Sequence, residues 1–128
     1  MDPESKKKAL RMFTYGMHIV TASDGTQIAA GAINWVSQAS FQPPLVMIGV
    51  KVDSNLHRLI KASGSLAINI VAEDQKDLAA AFFKPSQIAG NTINGHEFEK
   101  GVTGAPLLLA TPAYLEGRVV GAVEKRGS

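Results

Sequence analysis

Ala30–Lys51, AGAINWVSQASFQPPLVMIGVK, followed by Val52–Ile60, VDSNLHRLI, is the stretch whose reading decides both the fold and the place to look for function. It opens on small residues, Ala30 and Gly31, which let another molecule approach the backbone closely. A polar run from Asn34 to Ser40 follows, then the Pro43-Pro44 pair, then an apolar strand that ends in Lys51. Ser54 and Asn55 just beyond it carry the signature of a helix start. A strand that delivers a cationic side chain to a helix N-terminus makes an anion pocket, because free N–H groups and the helix dipole both favour negative charge. Phosphate is the natural occupant.

Upstream, Asp2-Pro3-Glu4 opens a helix expected to run to about Tyr15 and stop at Gly16. Met17–Ala22 is rich in β-branched residues and reads as a strand. The Asp24-Gly25 turn pairs it with a returning strand, Gln27–Asn34. Downstream, Leu45–Lys51 reads as a buried strand. Ser54–Ser63 reads as a helix with Leu56, Leu59 and Ile60 on one face and Gly64 as its stop. Leu66–Val71 is a further buried strand interrupted by Asn69. Glu73–Phe83 is read as a helix turning Leu78, Ala79, Phe82 and Phe83 inward, ended by Lys84-Pro85. Residues 86–104, with four glycines among polar residues, read as a long functional loop. The strand pattern resumes at Leu107, and Ala113–Val123 reads as a long strand leading into a turn at Glu124–Ser128.

Composition narrows the classes. The 128 residues suit one domain, 45% hydrophobic with 12 glycines, as expected of a strand-rich fold with many turns. A formal charge of +2, with basic residues bunched at the two ends, argues against nucleic acid, which needs a basic stripe interleaved with aromatics. With no cysteine, disulfides, thiolate metal sites and cysteine nucleophiles are excluded. No apolar run reaches the roughly 18 residues of a membrane span, so a cytoplasmic location without membrane contact is the default expectation. His18, His57 and His96 lack a carboxylate companion pattern, which makes metal binding a poor reading. His18 is expected in the core or at a strand edge, and His96 facing water. There is no P-loop, no dinucleotide G-x-G-x-x-G after a strand and no nucleophile elbow.

Ala30, Gly31, Asn34, Ser40, Pro43, Pro44, Leu45 and Val46 together resemble the signature of the flavin reductase-like, FMN-binding split-barrel family. Four more stretches agree in order: Tyr15–Thr21, Gly64–Ile70, Gln75–Phe83 and Gly104–Leu108. The resemblance implies a mainly β fold with a few helices, a Greek-key-like split β-barrel. It treats residues 1–128 as one domain whose closing C-terminal strand or strands, with the family's usual Gly-Asp-His, lie beyond Ser128. It also implies bound FMN (or FAD), a nicotinamide donor NAD(P)H, and a homodimer with flavin near the subunit interface. A flavin, metal complex or partner protein would accept the electrons.

On that basis Lys51, Ser54 and Asn55 are the candidates for the flavin phosphate. Ser54 caps its helix in either case, and the bland reading leaves Lys51 solvated. His57, one turn on, is a weaker candidate. Ala32, Ile33, Asn34, Trp35 and Val36 should run beside the flavin ring, which is recognised largely through backbone groups. Asn34 is the best side-chain candidate there. Trp35 is either a ring neighbour or simple core or interface. Ser37, Gln38 and Ser40 follow on the same loop, with Ser40 the favoured ribityl or phosphate ligand of the three. Asn69 must find hydrogen bonds, either holding backbone across the barrel or contacting flavin. No catalytic acid or base is assigned, since a bound flavin carries the redox chemistry itself. Two rivals stay open: a non-enzymatic FMN electron carrier, and a flavin-free split barrel that binds another ligand.

Overall fold

The carboxylate of Asp24 shapes the first hairpin by accepting from Thr26 N–H at 2.9 Å, Gln27 N–H at 2.7 Å and the Thr26 hydroxyl at 3.0 Å. Those bonds, the Gln27 amide first, hold its pKa below the ordinary carboxylate range. They join β1 (His18–Ser23) to β2 (Ile28–Ile33) in antiparallel register, His18 opposite Ile33 and Ser23 opposite Ile28. A computed structural model of the chain describes residues 18–33, 36–41, 44–51 and 53–121. The expected N-terminal helix, Asn34, Trp35, Pro43 and the Glu124–Ser128 turn lie outside them.

β1 is buried along its whole length because it is covered on both faces. It lies between β2 and β5 (Ser65–Ile70) in a four-stranded antiparallel sheet completed by β10 (Ala113–Arg118), in the order β10-β5-β1-β2. The two-residue alternation of a strand sends Val20, Ala22, Ile68 and Ile70 to a core shared with helix α1 (Asn55–Ser63). It sends Ile19 to a second core with Phe82, Ile93, Phe98 and Leu108. Between the faces stands a polar bolt. Asn69, fully buried, donates to the Ile19 carbonyl at 3.0 Å and the Thr21 hydroxyl at 3.3 Å, and accepts from Leu108 N–H at 2.8 Å. Thr21 in turn donates to the Pro106 carbonyl at 2.6 Å. Of the two readings of Asn69, the structural one is what the geometry shows.

Helix α1 is built as its sequence predicts: Ser54 caps it, Gly64 ends it in the left-handed region at φ 71°, and Leu56, Leu59 and Ile60 face the core. Other expectations need correction. The polar run after Asn34 is a strand rather than a loop: β3 (Val36–Phe41) pairs with β4 (Pro44–Ile48), with an irregularity between Gln38 and Ser40. The β3–β4 hairpin forms its own two-stranded sheet. β4 is accordingly only half-buried, with Met47 exposed.

The helix expected over Glu73–Phe83 shrinks to α2 (Lys76–Ala80). The Gln75 side chain accepts from Ala72 N–H at 2.9 Å and donates to the Ala110 carbonyl at 2.7 Å, locking a turn before the helix. Tight turns finish it: Phe82 N–H reaches the Ala79 carbonyl and Phe83 N–H the Ala80 carbonyl. Phe82 is buried, but Phe83 points outward, 65% exposed.

The stretch read as a long loop is largely a meander of β6 (Ile88–Ala89), β7 (Thr92–Ile93) and β8 (His96–Lys100), continued by β9 (Pro106–Leu108). Asn94 and Gly95, both at positive φ, form the two-residue turn that joins β7 to β8. His96 does not simply face water. It is half-buried, its ring centroid 5.8 Å from that of Phe82. His18 is fully buried on β1. The strand expected over Ala113–Val123 ends at Arg118.

β10 also anchors the turn before β9. The Glu116 carboxylate accepts from Val102 N–H at 3.1 Å, Thr103 N–H at 3.0 Å and the Thr103 hydroxyl at 2.7 Å. Burial pushes this carboxyl up, but the Thr103 hydroxyl and the two amides outweigh it and hold the pKa below the usual value.

Two outcomes follow from these contacts. Asn69→Ala strands the Leu108 N–H and should lower unfolding free energy by about 2–4 kcal/mol, read from urea midpoints at unchanged m. A loss below about 0.5 kcal/mol would show that the bolt bears no weight. Glu116 contributes stability that is complete above its unfolded pKa and is lost as pH falls through its lower folded one. Glu116→Gln should therefore cost about 1 kcal/mol at pH 7, modest because the group is part-exposed, and the gap should close below about pH 4. A gap independent of pH would refute the charge-based account.

Candidate functional site

β2 is the outer strand of its sheet, and its free edge is covered by the chain just after α2. Ala32 N–H donates to the Phe82 carbonyl at 3.2 Å. The Ser86 hydroxyl serves Ala30 twice, accepting from its N–H at 3.0 Å and donating to its carbonyl at 3.1 Å. On the other side, α1 packs against β2 so closely that a Cβ on Gly31 would stand 3.3 Å from Leu56 Cδ2. Between α1, β2 and the 82–88 segment opens a cleft of about 840 Å³. That lies within the size range of small-molecule and cofactor sites.

Of the residues selected from sequence, Ala32, Ile33, Lys51, Ser54 and Asn55 all line this one cleft. Val36, Ser37 and Ser40 belong to the neighbouring β3–β4 hairpin. They sit on β3, opposite Ile48, Met47 and Leu45. Asn34 and Trp35 lie outside the described residues. His57 is half-buried on α1 and is not part of the lining; its backbone N–H donates to Ser54 Oγ at 3.1 Å.

The α1 end gathers groups of the kind that hold an anion. The Ser54 hydroxyl donates to the Lys51 carbonyl at 2.7 Å while capping His57, so the Lys51–Ser54 turn is tied to the helix start. Among the described residues, the N–H groups of Asn55 and Leu56 at the first two helical positions have no acceptor. The Lys51 ammonium lies 3.9 Å from Asp53, with both side chains 76% exposed. An exposed pair of this kind contributes little and is readily exchanged for a stronger anion. Lysine, two short polar side chains and open amides form a donor set suited to phosphate.

The ring side fits less simply. Of the backbone groups in the stretch expected to run beside the flavin ring, the Ala32 N–H is already bonded to Phe82. Sequence reading also missed Gln27, Phe83, Lys84 and Ser86, all cleft residues, and Arg58, whose Nη2 donates to Gln27 Oε1 at 2.6 Å. Only Arg58, one helical turn beyond Ser54, had a local signal. Among the described residues no cluster of metal-ligating side chains occurs, and no helix is long and apolar enough to cross a membrane.

The sequence matches the family described as Flavin reductase like domain over residues 10–127. The chain belongs to that family. Diflavin flavoprotein A 1 of Synechocystis sp. is 30% identical to this flavin reductase-like chain over 119 residues, 92% of the chain and 21% of the relative. The reductase subunit HsaB of a flavin-dependent monooxygenase from Mycobacterium tuberculosis is 27% identical over 118 residues, 91% of the chain and 60% of that subunit. The chain thus spans about a fifth of the diflavin proteins it matches. Among solved structures, the NADH:FAD oxidoreductase SgcE6 of Streptomyces globisporus superposes with a TM-score of 0.73 at 24% identity, over 98% of this chain and 77% of that one. At that identity the likeness speaks for the fold, and it bears out the expected fold class.

Ser86→Ala removes both side-chain bonds to Ala30 and should raise the exchange rate of the Ala30 amide by about tenfold, one hydrogen bond's worth, with the β1–β5 amides unchanged. Unaltered protection at Ala30 would mean that packing alone holds the edge.

Proposed function

We propose that this domain binds FMN in the cleft between α1 and β2 and passes electrons from NAD(P)H to a flavin, metal complex or protein acceptor. The observation that carries the reading is the convergence of Lys51, Ser54 and Asn55 at a helix start facing β2, in a chain of the flavin reductase-like family. Lys51 would pair with the phosphate, the Ser54 turn would hold the helix start against it, and Asn55 and the open amides would complete the donor set. Ala32 and Ile33 on β2, with Asn34, Trp35, Val36, Ser37 and Ser40 after it, would flank the ring and ribityl chain. A bound flavin supplies two-electron chemistry, taking hydride from a nicotinamide and handing electrons on. The protein's share is to hold donor and flavin in register and to limit water in the cleft. No side chain in the cleft is needed as a proton donor.

SgcE6, described as an NADH:FAD oxidoreductase and also solved with NAD and FAD fragments, supports a nicotinamide donor and keeps FAD beside FMN. HsaB, described as the reductase subunit of a flavin-dependent monooxygenase, and Stc3, described as the reductase subunit of stachydrine N-demethylase, support a separate partner protein or its flavin as the acceptor. The working unit of this reading is a homodimer in the cytoplasm. A second reading, a flavin module that relays electrons inside a longer polypeptide, is favoured by the diflavin relatives, of which this chain matches a fifth.

Anaerobic absorbance decides between them. Protein mixed with FMN should show bound-flavin bands that bleach on adding NADH or NADPH; bleaching with dithionite alone would favour the relay. Lys51→Gln should weaken FMN about tenfold, a loss of ~1.4 kcal/mol. Unchanged FMN affinity in that variant would remove Lys51 from the site.

A further inference from the structure

Among the described residues, Asn94 is the one non-glycine at positive φ, 50°. Backbone held in that region needs a reason, because a Cβ crowds the following carbonyl there. At this position the side chain clasps a neighbouring segment. Asn94 Oδ1 accepts from Gln87 N–H at 2.7 Å, and Nδ2 donates to the Ala81 carbonyl at 2.9 Å. The Asn94 N–H adds a third bond, to the Gln87 carbonyl at 2.9 Å. One amide thus gathers both ends of the 81–87 segment, and the residues between them line the cleft. Phe82 and Ser86 of that segment carry the hydrogen bonds that cover β2. The clasp needs a donor and an acceptor in one group, a combination that an amide has and a carboxylate lacks.

The same amide is the one in the chain most open to loss. Of the five asparagines, Asn34, Asn55, Asn69, Asn91 and Asn94, the last alone is followed by glycine. With no side chain on Gly95, its backbone nitrogen has an unhindered approach to Asn94 Cγ. Attack forms a C–N bond and expels Nδ2 as ammonia. Water then opens the cyclic imide at either carbonyl, giving aspartate or isoaspartate. No oxidant or reductant is involved. While the three bonds stand, the amide is held toward Ala81 and Gln87, so the reaction draws on the locally opened turn. Gly95 is exposed and Asn94 half-buried, so water reaches the site.

We propose that Asn94-Gly95 is a deamidation site whose conversion releases the 81–87 segment from the β7–β8 turn and loosens that side of the cleft. Aspartate keeps an acceptor for Gln87 N–H but sets a carboxylate against the Ala81 carbonyl, two acceptors with no proton between them. Isoaspartate adds a main-chain atom to the two-residue turn and breaks its geometry. Neither effect depends on which ligand the cleft holds.

The test ages the whole folded chain at mildly alkaline pH and follows each asparagine by peptide mass spectrometry, beside a sample unfolded in urea. In the folded chain Asn94 should convert ahead of the other four asparagines. It should do so about tenfold or more slowly than in urea, the protection of at least one hydrogen bond. The aged protein is then separated by charge, and amide exchange is compared between modified and unmodified fractions. The Ala32 amide, which bonds to Phe82, should exchange about tenfold faster in the modified fraction, with the β1–β5 amides unchanged. Asn94→Asp should reproduce that change; if it does not fold, the modified fraction, formed from folded protein, carries the test alone. An Asn94 that survives in the folded chain while it converts in urea overturns the proposal. So do equal rates in the two samples, since the clasp would then not hold the amide. Conversion without faster exchange at Ala32, or with the β1–β5 amides accelerated equally, overturns the local release.

Discussion

Asn69 is the constraint around which the rest of the structure is arranged. A buried amide must satisfy its donors and acceptor, and this one does so by joining three strands: β1 through Ile19 and Thr21, β5 through itself, and β9 through Leu108. Hydrophobic cores on either side of the central sheet supply most of the driving force, but they are tolerant of small slips. A side chain that must meet specific partners is not. Thr21 adds its own bond to Pro106, so the register between the two sheets is set twice over. With that register held, Ile19 and Val20 fall on opposite cores as the strand alternation requires.

The cleft is a consequence of how β2 is finished. An outer strand presents unpaired amides and carbonyls, which invite association unless they are covered. Here the cover is a short irregular segment rather than another strand. Among the described residues its hydrogen bonds to β2 come from the Phe82 carbonyl and the Ser86 hydroxyl. A full strand there would have filled the space. Gly31 brings α1 in from the other side, since any larger residue would press on Leu56. The opening that remains is lined by the small residues of β2, by the start of α1, and by the segment that carries Phe83 and Lys84.

This arrangement also separates binding from chemistry. The cleft holds the charged side chains of Lys51, Asp53 and Lys84, all exposed. In the flavin reading proposed above, the bound cofactor would carry the chemistry and these side chains would hold it. Asn69 and the Glu116 turn, two polar clusters that tie strands together, are not part of the cleft lining and serve the fold.

Local chemistry in the sequence was enough to determine the Asp24 hairpin, helix α1 with its Ser54 and Gly64 caps, the buried strands β1 and β5, and the convergence of Lys51 with a helix start. Each depends on residues a few positions apart, so their signals survive without knowledge of the partners. The run from Val36 to Phe41 misled because its polarity suits a loop, whereas pairing with β4 makes it a strand. Asn94-Gly95 was a hairpin signal hidden among neighbouring glycines. Gln75 shortened α2 by bonding to Ala110, 35 positions away. Phe83, Lys84 and Ser86 had no local mark of function at all. They reach the cleft because Ser86 meets Ala30 across 56 positions, and only the folded chain brings the two together.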